Sequence, residues 1–340
     1  MKYNLELKRV KCHNRCFAPL LGITILLLGW NDCRAQNEKL VFTPHWIPQA
    51  QFAGYYVALD QGFYKDEGLD VDIVHATANI ASLDLLKNGE ADVVSSFMLD
   101  AMEQRAKGVP LVNIGQLSQH SALMMVTKKK SGIDTPQKLH NKKLGIWSSG
   151  FEDVPLAFMQ EHGIRMDLIR ILQTVNLFLV DGVDALMVMY YNEYDQINNC
   201  GIDEDELNTF FFSDYNLDIP EDGIYCLEDS LNSKGDAYAG FLKATLRGWE
   251  YASQHREYAL DLVIGEMDRA HLPNNRVHQR WMLEKVLEMM NPGKKKVTKG
   301  QLLKSDFDRA MEVFRMAKET QGLQTFGFEQ FYQLPAGSKK

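Results

Sequence analysis

The chain has 340 residues, 45% hydrophobic and 24% charged, with 10 Pro and 5 Cys. That composition excludes a disordered, collagen-like or disulfide-dense polypeptide and leaves room for roughly two domains with cores of their own. A formal charge of −8 supplies no basic stripe for gripping nucleic acid, and Lys294-Lys295-Lys296 reads as a solvated loop.

The first 35 residues have the order of an export signal. Lys2, Lys8, Arg9, Lys11 and Arg15 precede an apolar run from Phe17 to Trp30 in which only Thr24 is polar. The run is shorter than the ~20 residues a membrane span needs. Cys33-Arg34-Ala35 then offers small residues at −3 and −1 for cleavage before Gln36. A lipid anchor on Cys33 is the alternative, although Trp30-Asn31-Asp32 is a poor approach to lipoprotein processing. The expected location is the periplasm. Residues 1–35 hold six Lys/Arg and two Asp/Glu, so the exported chain carries 31 basic against 43 acidic side chains, a charge of −12. It keeps Cys200 and Cys226, which pair or stay as free thiols; sequence separation does not decide.

Beyond the signal, strands and helices alternate. Leu40–Thr43 reads as a buried strand. Phe52, Tyr55, Tyr56 and Leu59 share one face of a helix that ends near Gly62. Leu69–Val74 is a strand, Ile80–Asn88 a helix stopped by Gly89, Ala91–Val94 a strand, Met98–Lys107 a helix and Leu111–Ile114 a strand. The pattern restarts at Met124–Val126, followed by a short helix capped by Asp134, a strand at Lys143–Trp147 and a helix at Glu152–His162. A weak strand at Ile169–Leu172 and a buried one at Asp184–Tyr190 come next. Long amphipathic helices close the chain at Ala237–Gly265, Asn275–Met290 and Gln301–Gln321. Such alternation predicts an α/β fold with mainly parallel sheets flanked by helices. An internal echo, Leu86-Lys87-Asn88-Gly89 before Ala91–Val94 and Leu179-Val180-Asp181-Gly182 before Val183–Leu186, favours two similar halves over one large sheet.

Ligands of open α/β sheets sit beyond the carboxyl ends of the strands, near helix amino termini. Four places qualify. They are Trp46, Gln51 and Phe52; Ser95, Ser96 and Phe97; Trp147, Ser148, Ser149 and Gly150; and Tyr190, Tyr191, Asn192 and Glu193. Aromatic faces with Asn and a carboxylate suit a flat, neutral or weakly basic heteroaromatic ring. None of the four holds Arg or Lys, which an anion site would use. Each residue also has a plain reading: Trp46 as a packing aromatic, Glu193 as an acid favoured in a first helical turn, and Ser148-Ser149-Gly150 as an ordinary turn. Tyr190 and Tyr191 cannot both face the same way so close to a strand end. The histidines lack metal-ligand spacing, and neither a Gly-x-Ser-x-Gly elbow nor a phosphate loop occurs. Nothing in the sequence points to an enzyme, a metal or a cofactor.

Trp46-Ile47-Pro48 and the stretch Gly54 to Val71, with Gly62-Phe63-Tyr64-Lys65-Asp66-Glu67-Gly68-Leu69 its most specific part, resemble the ABC-transporter solute-binding proteins of the thiamine-pyrimidine and sulfonate type. Leu86–Val94, Ser131-Gly132-Ile133, Pro136–Leu139 and Lys142–Ile146 resemble later parts of the same family. The resemblance implies a two-lobed periplasmic-binding-protein fold of type II. Its lobes would be residues 38–127 with 225–340, and 128–224, with the C-terminal helices packed on the first lobe. It further implies a monomer that delivers a thiamine-related pyrimidine to an inner-membrane ABC permease. Ring-binding roles then fall on Glu193, Tyr190 and Trp46, with Asn192 beside them. A small-anion carrier of the same fold is the alternative. The eukaryotic pyrimidine synthases of this superfamily are a remoter one: Ser96 falls where their lysine would be and Asp100 near their histidine, and their Cys-rich segment has no counterpart.

Overall fold

The computed structural model describes residues 37–77, 79–147, 151–172, 174–318 and 322–336. The export signal, Cys33 and the Ser148-Ser149-Gly150 turn lie outside the described residues. The rest forms two five-stranded sheets. The first contains β1 (Glu38–Thr43), β2 (Leu69–Ile73), β3 (Val93–Phe97), β4 (Leu111–Gln116) and β10 (Asp222–Leu227), in the order β2-β1-β3-β10-β4. The second contains β5 (Leu123–Lys128), β6 (Lys142–Trp147), β7 (Met166–Ile171), β8 (Ala185–Met189) and β9 (Leu207–Phe211), in the order β7-β6-β8-β5-β9.

The two sheets are built alike. In each, the strand next to last in the order runs against its neighbours while the others are parallel: β10 in the first and β5 in the second. Both reversed strands directly follow a crossing between the sheets, β4 to β5 and β9 to β10. The sequence echo leads into β3 and β8, the central strands of the two sheets. Central strands are covered on both faces, which is why β8 reads as a continuous apolar run with all five residues buried. The helix Ser82–Asn88 ends on Gly89 at φ 75°, a left-handed conformation that glycine adopts without a Cβ clash.

Helix packing sets the position of the first sheet's loops. Gly248, on the helix Gly235–Gln254, lets that helix press against Ala53–Asp60, while the Trp249 ring covers Gly54. Helix Ala53–Asp60 is continuous with the short turn Ala50–Phe52 that leads into the cleft. The amphipathic run expected to be one helix from Ala237 to Gly265 breaks at His255 into Gly235–Gln254 and Arg256–Arg269, both on the first lobe. The last two long helices reach across. Lys304–Ala317 packs on Asp153–His162 of the second lobe as well as on Met98–Ala106 of the first, and Arg276–Met289 touches the Ala50–Phe52 turn and the Glu193–Asn199 helix. Cys200 is exposed and Cys226 buried, and both are free thiols.

Candidate ligand-binding site

The site lies where the carboxyl ends of β1, β3 and β8 face one another. His45, just beyond β1, is fixed by Ser95, whose hydroxyl accepts from the His45 backbone N–H at 3.0 Å and lies 2.8 Å from Nδ1. The Gln51 amide nitrogen donates to Asp222 Oδ2 at 2.9 Å and lies 3.2 Å from His45 Nε2. A carboxylate can only accept, so that nitrogen is the donor, His45 Nε2 accepts, and Nδ1–H points at Ser95. Gln49 completes the chain by donating to Gln51 Oε1 at 2.6 Å. Burial holds His45 neutral, with its pKa pushed down to about 3. The Phe52 and Phe97 rings meet the His45 ring edge-on at 5.2 and 4.6 Å, and Phe151 crosses over Phe97 at 5.1 Å.

The second lobe contributes Tyr191. It is 3% exposed, and its hydroxyl lies near the Gln51 side chain and the Asp222 carboxylate. Burial, then the Asp222, Glu221 and Glu193 carboxylates, push its pKa well above the ordinary range. Of the tyrosine pair, Tyr191 is thus the residue that joins the two lobes. Tyr190 turns the other way, packing against Tyr194, Phe211 and Trp281, and its carbonyl accepts from the Trp281 indole at 3.0 Å.

Around the crossings, Ser121 Oγ donates to Glu221 at 2.6 Å and the Ala122 N–H donates to the same carboxylate at 3.0 Å. Asp218 accepts from the Ser121 N–H at 2.7 Å and pairs with His120 at 2.9 Å. Burial raises Glu221 to about 8 and Asp222 to about 7. Beside Glu221 lies an interlobe cavity of about 30 Å³, walled by Phe97, Leu123, Phe151, Met189 and Pro220.

The residues singled out from sequence divide accordingly. Gln51, Phe52 and Ser95 come together around His45. Ser95 and Ser96 lie within β3, which extends to Phe97, rather than beyond its end. Alternation along the strand places Ser96 on the face opposite Ser95. Trp46 is half-buried, and its carbonyl accepts from His75 Nδ1 at 2.6 Å. Trp147 is the last residue of β6 and also half-buried. Glu193 is buried and raised to about 7 by that burial. Its oxygens accept from the Met189 N–H at 2.9 Å and the Asn192 amide at 2.8 Å. Asn192 Oδ1 accepts from Gln196 at 2.8 Å and lies 3.1 Å from His278 Nε2. Sequence reasoning missed His45, Tyr191 as the interlobe tyrosine, and Asp222. The signal for His45 was its place directly before Trp46 at a strand end. Asp222 gave none, because Glu221-Asp222-Gly223 reads as an exposed turn. Among the described residues no group of three or more His, Cys, Asp or Glu is arranged to hold a metal ion.

Two lobes joined by two crossings, with buried polar and aromatic groups converging between them, define a solute-binding fold. Comparison with known proteins gives the family: the chain belongs to the NMT1/THI5-like family, whose model matches residues 49–259. It is 25% identical over 286 residues to the formylaminopyrimidine-binding protein of Halalkalibacterium halodurans, spanning 80% of this chain and 85% of that one. It is 27% identical over 155 residues to the 4-amino-5-hydroxymethyl-2-methylpyrimidine phosphate synthase THI5 of Saccharomyces cerevisiae, covering 44% of this chain and 45% of the yeast protein. The fold is that of the periplasmic aliphatic sulphonate binding protein SsuA from Escherichia coli, with TM-score 0.70, 16% identity, and 88% and 93% of the two chains covered.

Proposed function

We propose that this protein is the exported solute-binding component of an ABC importer and that it captures a thiamine-related pyrimidine of the aminopyrimidine or formylaminopyrimidine type between its lobes, releasing it unaltered to an inner-membrane permease. The observation that carries this reading is the cleft chain His45–Gln51–Asp222–Tyr191: polar groups from both lobes meet beside the Phe52, Phe97 and Phe151 rings. Aromatic walls take the faces of a planar ring while a few fixed polar atoms read its edge. Trp46 and Trp147 flank the same strand ends. Glu193, with both oxygens engaged, braces the strand end that carries Tyr191. The similarity to a formylaminopyrimidine-binding protein over most of both chains supports the ligand class.

The cavity beside Glu221 leaves little free room between the lobes, and in this reading the lobes part about their two crossings to admit the ring. Ligand contacts made with both lobes then favour the closed form. The sulfonate reading finds less support, because the groups converging here are carboxylates, amides and a neutral imidazole. Catalysis is not part of this proposal; the shorter match to the yeast synthase covers less than half of either chain. The test is calorimetric titration with formylaminopyrimidine, 4-amino-5-hydroxymethyl-2-methylpyrimidine, an alkanesulfonate and nitrate. Saturable binding of a pyrimidine with none of the anions is expected. Binding of the sulfonate alone would transfer the protein to the anion carriers.

A further inference from the structure

Three carboxylates approach the cleft, and two are fully engaged: Glu221 by Ser121 and Ala122, Glu193 by Met189 and Asn192. Asp222 is different. Its Oδ2 accepts from Gln51, but Oδ1 is buried with no hydrogen-bond partner among the described residues. The nearest basic nitrogen, His45 Nε2, stands 3.8 Å from Oδ1 and in the tautomer derived above carries no proton to give. A buried acceptor left unmatched is costly, and a native structure that retains one usually has a use for it.

Its position says which use. In the β10–β3 ladder Asp222 pairs with Phe97, so β10, running backwards, delivers a carboxylate to the carboxyl edge of the parallel strands, where ligands of such sheets bind. Gln51 holds one oxygen in place and Tyr191 closes over the same spot from the second lobe. The site therefore leaves one carboxylate oxygen open to a donor, beside aromatic rings.

We propose that Asp222 Oδ1 is the acceptor for the exocyclic amino group of the bound ring, so that Asp222 is the specificity-determining residue for aminopyrimidines. This rests on the pyrimidine reading above and names the residue that reads the ring's amino group. His45 keeps the carboxylate without a competing cation, and Oδ1 has no hydrogen-bond partner among the described residues, so a donor from the ligand would meet an open acceptor. Closure adds Tyr191 and shields the contact.

The experiment titrates the protein and its Asp222→Asn variant with two probes, 4-amino-5-hydroxymethyl-2-methylpyrimidine and the same ring lacking the 4-amino group. The unaltered protein should prefer the amino probe by roughly 10- to 100-fold, the range of a hydrogen bond to a charged acceptor. The variant should bind both probes alike, near the level of the weaker one. If Asp222→Asn keeps the preference, or if the unaltered protein binds both probes equally, the assignment of Asp222 falls while the pyrimidine reading stands. If the unaltered protein binds neither probe, nor formylaminopyrimidine in the titration above, the pyrimidine reading falls and takes this inference with it; if it binds formylaminopyrimidine alone, this inference falls and the pyrimidine reading stands. The two-probe comparison on the unaltered protein decides the matter even where the variant fails to fold.

Discussion

Two glycines of one helix should respond in opposite directions to the same added methyl. Gly248 lies where Gly235–Gln254 crosses Ala53–Asp60; a Cβ there would sit 2.2 Å from the Gly54 carbonyl oxygen, 2.7 Å from Ala58 Cβ and 2.9 Å from Ala58 N. Two of the three obstacles are backbone, so no side chain can swing aside and the helices must separate. Overpacking of this kind costs up to ~3 kcal/mol, against a helix-propensity gain of ~1 kcal/mol for Ala over Gly. Gly248→Ala should therefore destabilise by about 2 kcal/mol, which at 2–4 °C per kcal/mol is a fall in Tm of roughly 4–8 °C. Gly235, at the start of the same helix, has nothing within 4 Å of its notional Cβ and no positive φ. Gly235→Ala should be neutral or stabilising by ~0.5 kcal/mol, since it mainly restricts the unfolded chain. Urea unfolding followed by tryptophan fluorescence reads both, with the m-value checked for constancy. A Gly248→Ala protein within 0.5 kcal/mol of the parent would refute the close packing that fixes the cleft loop.

Acid strength in the core sets the expected pH dependence. Asp222, Glu193, Asp100, Asp153 and Glu221 are raised to between about 6 and about 8, chiefly by burial. As pH climbs from 4 to 8 the unfolded chain loses these protons first, so this set makes stability fall with rising pH. His45 and His75, lowered by burial to about 3 and about 4, act oppositely, but only below the unfolded value near 6.5. Five groups outweigh two, and calorimetry should find Tm higher at pH 5.5 than at pH 8; the reverse order would contradict the burial of these carboxylates. Glu193→Gln sorts brace from ligand contact. An amide must turn its NH2 toward either the Met189 N–H or the Asn192 amide, so stability should drop by about 1 kcal/mol while pyrimidine affinity changes less than tenfold. A large affinity loss at unchanged Tm would return Glu193 to the ring.

What the sequence disclosed follows from which forces are local. The Phe52–Leu59 face, the Gly89 stop and the apolar run of β8 each depend on spacing within a few residues, and each is visible in the order of the amino acids alone. The strands β9 and β10 were not. Leu207–Phe211 and Asp222–Leu227 are short, they pair antiparallel with partners far along the chain, and no hairpin turn announces them. The break at His255 carries no proline or glycine; the ring instead stacks on Tyr251 at 3.9 Å. The site was half legible. Gln51, Phe52 and Ser95 follow from the strand-end rule, but Asp222 gains its meaning from Gln51, 171 residues away, a distance over which periodicity says nothing.

The residues placed together after β8 by sequence turn out to serve two different surfaces, and the helix Arg276–Met289 explains the division. Gln279 Oε1 accepts from the Ala50 N–H at 2.7 Å, gripping the turn that carries Gln51. One residue earlier His278 meets Asp195 at 2.7 Å and Asn192 at 3.1 Å, and two residues later Trp281 donates to the Tyr190 carbonyl. A single rigid helix thus holds the first-lobe turn that presents Gln51 and the second-lobe strand end that presents Tyr191. Tyr190 and Asn192 face this helix, which frees Tyr191 to point into the cleft. Parting the lobes must therefore break either the Gln279 contact or the His278–Trp281 set, and the ligand's contacts compete with that cost. Closure and recognition are in this way tied to the same four-residue segment, and a helix remote in sequence from every strand end helps determine how tightly the cleft holds its guest.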